Sequence, residues 1–62
     1  MQVIATRKLY NHAGEFYGHA TAYKDGEGAL RFAIHDVGYP LGDSKVFLAY
    51  RTFKDSVRHA ES

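Results

Sequence analysis

Apolar and polar residues alternate along the first two thirds of the chain and then shift to a helical period. In the stretch EFYGHATAYKDGEGALRFAIH, one set of alternate positions runs Tyr17, His19, Thr21, Tyr23, then Arg31, Ala33, His35. The other set runs Phe16, Gly18, Ala20, Ala22, then Leu30, Phe32, Ile34. Alternation of this length predicts strands that bury one face. Segments 3–10, 16–24 and 29–37 all carry it. They are separated by Asn11-His12-Ala13-Gly14 and Asp25-Gly26-Glu27-Gly28, each with Asn or Asp first and Gly fourth. This is the preference of a type I turn, whose first side chain accepts from backbone amides within the turn. The predicted unit is a three-stranded antiparallel meander.

Register decides which residues share a face, because a slip of one residue inverts a strand. A three-residue second loop with Gly28 left-handed sets His19 opposite His35, Thr21 opposite Ala33 and Tyr23 opposite Arg31. It sets Ala20 opposite Ile34 and Ala22 opposite Phe32, so polar and apolar classes separate. A two-residue loop mixes them. In the first strand the same sorting gives Val3, Ala5 and Leu9 to the core and Thr6, Lys8 and Tyr10 to the outer face. Arg7 is then a misfit inside, and Ile4 is stranded outside.

After Gly38-Tyr39-Pro40-Leu41-Gly42 the chain runs to Ser62 without Gly or Pro. Val46, Tyr50, Phe53, Val57 and Ala60 recur at the spacing of one helical stripe. Asp43 or Ser44 can cap its start. A helix over about 44–59 is predicted, with a fourth strand as the competing reading because Val46-Phe47-Leu48-Ala49-Tyr50 has high β propensity. Gly18, Ala20 and Ala22 leave a shallow trough in which a helix can lie, walled on one side by Leu30, Phe32 and Ile34. The expected fold is α+β: a three-stranded antiparallel β-meander with one C-terminal α-helix packed on one face (β-β-β-α), forming a single small domain over residues 1–62.

Composition narrows the function. A chain of 62 residues buries only about 60% of its extended surface, so stability is thin. Without cysteine there is no disulfide, thiol chemistry or Cys-based zinc site. An intracellular, cytoplasmic setting is the expectation, since small oxidised domains are usually bridged and Arg7-Lys8 interrupts any apolar leader. The net charge is +1, small for a dedicated nucleic-acid binder.

No catalytic, cofactor or metal motif stands out. A nucleophile needs a base in reach and a third group to orient that base. Strand neighbours point to opposite faces, so Asp36 is not expected to serve His35. His19 and His35 supply two metal ligands where zinc takes three or four, and the nearest carboxylate on their face is the distant Glu15. The loop Asp25–Gly28 carries two carboxylates and lacks the Lys-Ser/Thr of a phosphate-binding loop. Arg51, Lys54 and Arg58 on the helix are interleaved with Asp55, as on an ordinary solvated face.

The outer sheet face remains, with Lys8, Tyr10, Tyr17, His19, Tyr23, Arg31 and His35 as candidate partner-binding residues. Tyr and Arg are enriched where binding energy concentrates, and most of the seven acids fall in turns, the helix or the tail. The expected function is a small non-enzymatic protein-binding module, an inhibitor or adaptor, anchored by Tyr17, Tyr23 and Arg31. The alternative is a nucleic-acid-binding domain that sets Tyr17 and Tyr23 against bases while Lys8, Arg31 and Arg7 meet phosphate. A third reading is a homodimer through strand 29–37, an edge without proline.

Overall fold

Both predicted turns form, and they form the same way. In the first, the Gly14 N–H donates to the Asn11 carbonyl at 2.9 Å, and Asn11 Oδ1 accepts from the amides of Ala13 and Glu15, each at 3.0 Å. In the second, the Gly28 N–H donates to the Asp25 carbonyl at 3.0 Å, and Asp25 Oδ1 accepts from Glu27 at 2.9 Å and Ala29 at 3.0 Å. Gly14 and Gly28 both sit at φ 82°, a region that glycine occupies without steric cost. The computed structural model describes residues 1–37 and 43–62; the break predicted at 38–42 lies outside the described residues.

These turns join β1 (Gln2–Tyr10), β2 (Phe16–Lys24) and β3 (Leu30–His35) into one open antiparallel sheet of order β1-β2-β3, followed by α1 (Ser44–Glu61). The β2–β3 register is the predicted one: His19 opposite His35, Ala20 opposite Ile34, Thr21 opposite Ala33, Ala22 opposite Phe32 and Tyr23 opposite Arg31. The helix reading prevails over the fourth strand. Asp43 caps it, with Oδ1 accepting from the amides of Lys45 at 2.9 Å and Val46 at 3.4 Å. Arg58 and His59 in the last turn complement the helix dipole. Val46, Phe53 and Val57 are buried against Leu9, Ala20 and Ala22, while Ala60, expected in the stripe, is exposed. The helix lies over β1 and β2, in the trough left by the small residues of β2.

The β1–β2 pairing departs from simple alternation at two points. Between Leu9↔Gly18 and Tyr10↔Phe16, β1 advances one residue and β2 two, so Tyr17 is the extra residue of a β-bulge. A bulge reverses the parity of the side chains beyond it. Tyr17, expected on the outer face, is therefore a core residue at 1% exposure, and Phe16 takes its place outside at 42%. The second bulge leaves Ile4 unpaired between Val3↔Tyr23 and Ala5↔Ala22. Val3, expected in the core, is exposed, and Ile4 is half-buried. Arg7 stays on the helix side, as the predicted misfit, but its guanidinium lies 5.3 Å from the centroid of the Phe53 ring, where the ring's negative face stabilises a cation.

β3 ends at His35, two residues earlier than predicted, because Asp36 takes φ 60°. Left-handed backbone terminates a strand, and Asp is one of the few side chains that tolerates it. Gly18 makes room for the chain beyond this point. A Cβ there would meet the His35 carbonyl oxygen at 3.0 Å and Val37 Cγ2 at 3.4 Å, so glycine lets the chain leaving β3 pass this close without either neighbour having to give.

Candidate functional site on the uncovered sheet face

The helix covers one side of the sheet, and the other carries the candidate site. Cross-strand pairing places Lys8 beside His19, His19 beside His35, and Tyr23 beside both Val3 and Arg31. Lys8, Tyr10, His19, Tyr23, Arg31 and His35 thus share this face as predicted. Tyr17 does not, for the reason given by the bulge, and Phe16 replaces it. Alternation alone could not have found Phe16: two adjacent aromatic residues give no parity signal.

The substitution builds a continuous row of rings. Tyr10 and Phe16 meet edge to face with centroids 6.1 Å apart, and Phe16 meets His19 edge to face at 5.1 Å. His19 stacks on His35 at 5.4 Å with 15° between planes. The row crosses all three strands. Beside it lies a shallow, mostly apolar depression lined by Met1, Val3, Thr6, Thr21, Tyr23, Ala33 and His35.

The electrostatics of the face differ from expectation in two places. Arg31 Nε donates to Asp25 Oδ2 at 3.1 Å, so the central cation is already paired. The Ala29 amide foremost, then Arg31 and the Glu27 amide, hold the Asp25 carboxyl below its ordinary range. Arg7 lies on the opposite side of the sheet. Among the described residues, Lys8 is the one cation of this face without an ion-pair partner.

The second difference is Asp36. It was expected to point away from His35, but its left-handed backbone turns the carboxylate back over the outer face. Asp36 Oδ2 lies 3.1 Å from both His19 Nδ1 and His35 Nδ1. On its other side, His35 Nε2 is 2.7 Å from Thr21 Oγ1. Thr21, His35 and Asp36 therefore stand in the relation of hydroxyl, base and orienting acid. Acyl transfer further needs donors aimed at a developing oxyanion. Thr21 lies mid-way along the central strand, paired with Thr6 on one side and Ala33 on the other, so the ladder already engages the neighbouring backbone amides.

The chain matches no protein-family model, no curated protein and no solved structure. Among the described residues no helix is long and apolar enough to cross a membrane.

Proposed function

We propose that this chain is a small protein-binding module, an intracellular inhibitor or adaptor without catalytic activity of its own, that engages its partner through the uncovered sheet face. The row Tyr10–Phe16–His19–His35 carries the reading. Aromatic rings held rigidly on strands offer large contact area at little entropic cost. Phe16, Tyr10 and Tyr23 are the anchors, with Phe16 in the role first given to Tyr17. The shallow apolar depression beside the row is suited to a protruding apolar side chain of the partner. Charge favours a protein over a nucleic acid. With Arg31 paired to Asp25 and Arg7 behind the sheet, Lys8 is left for phosphate, and a single contact contributes little affinity at physiological salt.

Capture from a native lysate tests this, with and without nuclease, using the parent chain and the variants Phe16→Ala, Tyr23→Ala and Lys54→Ala. A protein partner retained after nuclease, lost with the two sheet variants and kept with Lys54→Ala is expected. Each anchor should cost on the order of 2 kcal/mol of binding. Loss on nuclease treatment would make the ligand a nucleic acid. Loss with Lys54→Ala alone would move the site to the helix.

A further inference from the structure

We propose that His19, His35 and Asp36 form a binding site for a divalent first-row transition-metal ion, with Thr21 holding His35 in the ligating tautomer. Its two histidines are the last rings of the aromatic row, but the site uses none of the anchors Tyr10, Phe16 and Tyr23 and does not depend on the protein-binding reading.

The donor set comes first. Two imidazole nitrogens and a carboxylate oxygen lie together, all within 4.8 Å of one another. Tetrahedral coordination with bonds of about 2.0–2.1 Å separates neighbouring donor atoms by about 3.3–3.4 Å. Both His–Asp separations are 3.1 Å, close to that edge. Imidazole with carboxylate suits zinc, iron, nickel or copper, whereas calcium and magnesium take oxygen donors. Three protein ligands leave coordination positions for water or an incoming ligand.

Proton placement is the second consideration. Each neutral imidazole carries one N–H. Thr21 Oγ1, at 2.7 Å from His35 Nε2, can accept that N–H, which leaves the Nδ1 lone pair facing the Asp36 carboxylate. In the opposite tautomer Nδ1–H donates to Asp36 and the Thr21 hydroxyl donates to Nε2; a metal ion at Nδ1 takes the place of that proton and selects the first arrangement. This is how a ligating histidine is commonly held, its outer nitrogen bonded to a neighbouring group that fixes tautomer and ring.

The third consideration is the backbone. Asp36 reaches both rings because it stands at φ 60°, and sparsely populated backbone of this kind gathers at functional sites. His19 and His35 are a directly opposed cross-strand pair, so the ligands rest on rigid elements. The three side chains are 29%, 50% and 65% exposed, which leaves an entry path. The rings stand 15° from parallel, so their lone pairs do not meet at one point. Metal loading therefore turns the His19 ring about χ2, a broad torsion, while Thr21 holds His35.

The test is a titration of the tag-free chain with Zn2+ by calorimetry and with Co2+ by visible absorption. NMR of the imidazole nitrogens identifies which ring atoms shift. Expected are one ion per chain and shifts at Nδ1 of His19 and His35. His19→Gln, His35→Gln and Asp36→Asn should each weaken binding by more than tenfold, and Thr21→Val by about tenfold. Asp36→Asn keeps a residue that tolerates the left-handed backbone, and circular dichroism of each apo variant should match the parent. His59→Ala should bind as the parent does. No saturable binding up to millimolar ion, binding that survives Asp36→Asn, or ligation through Nε2 would each overturn the proposal.

Discussion

The bulge at Tyr17 makes two adjacent aromatic residues respond oppositely to the same substitution. Tyr17 is 1% exposed and among the largest fully buried side chains, whereas Phe16 is 42% exposed. Truncating a buried aromatic residue to alanine costs about 3–5 kcal/mol. A chain of 62 residues has about 3–9 kcal/mol of stability in total. Tyr17→Ala should therefore leave much of the population unfolded. Phe16→Ala forfeits only partial burial, about 1 kcal/mol, and should fold normally. A third variant sharpens the test. Among the described residues, the buried Tyr17 hydroxyl has no hydrogen-bond partner. Tyr17→Phe removes an unpaired polar group while keeping the ring, and should stabilise by about 1 kcal/mol. That corresponds to about 4–8 °C in Tm for a domain of this size. Urea and thermal unfolding followed by circular dichroism measure all three, with an unchanged urea m-value showing that the two-state reference holds. If Phe16→Ala proves more damaging than Tyr17→Ala, β2 is unbulged and the aromatic row does not exist. If Tyr17→Phe destabilises, the hydroxyl has a partner and is not an orphan.

The trough under the helix yields a second stability prediction. Ala20 has no exposed surface, so Ala20→Leu should overpack the helix–sheet contact and cost about 1–3 kcal/mol in chemical denaturation; a neutral result would mean that α1 does not rest there. The link between helix and first turn predicts a pH dependence. Asp43 Oδ2 lies 2.6 Å from His12 Nδ1 and accepts the His12 amide at 3.1 Å, and these bonds, the side-chain one foremost, lower the Asp43 carboxyl from 3.8 to about 2. A depressed folded-state value means stability that is present above the unfolded value and lost as pH falls. Melting temperature should therefore decline between about pH 4 and pH 2, with a shallower decline in Asp43→Asn; parallel acid limbs for parent and variant would show that this carboxylate does not contribute.

The β2–β3 hairpin was legible in register and in faces. Asp25 and Gly28 specify one turn geometry, that turn fixes the register, and only that register separates Ala20, Ala22, Phe32 and Ile34 from His19, Thr21, Ala33 and His35. The β1–β2 hairpin was legible only in outline, although it has the same turn. The sequence did hold one mark of a shift in β1, Ile4 on the outer set, whereas Arg7, the other misfit, stays on the inner side in the structure. No comparable mark exists at Phe16-Tyr17, where either ring could fill the core.

Turn chemistry, helix capping and the period of apolar residues are local properties, and they marked out the three-stranded meander and favoured a C-terminal helix, with a fourth strand over Val46–Tyr50 as the competing reading that the structure then removed. Where a strand bulges, and where it stops, depends on energies that span the molecule. Tyr17 turns inward because the helix and the small residues of β2 leave a space that a large ring fills. Asp36 turns back because Gly18 gives the chain room to leave β3 against β2. A period of two cannot encode either choice. The tertiary structure alone therefore put Phe16 in the aromatic row and brought a carboxylate to the paired histidines.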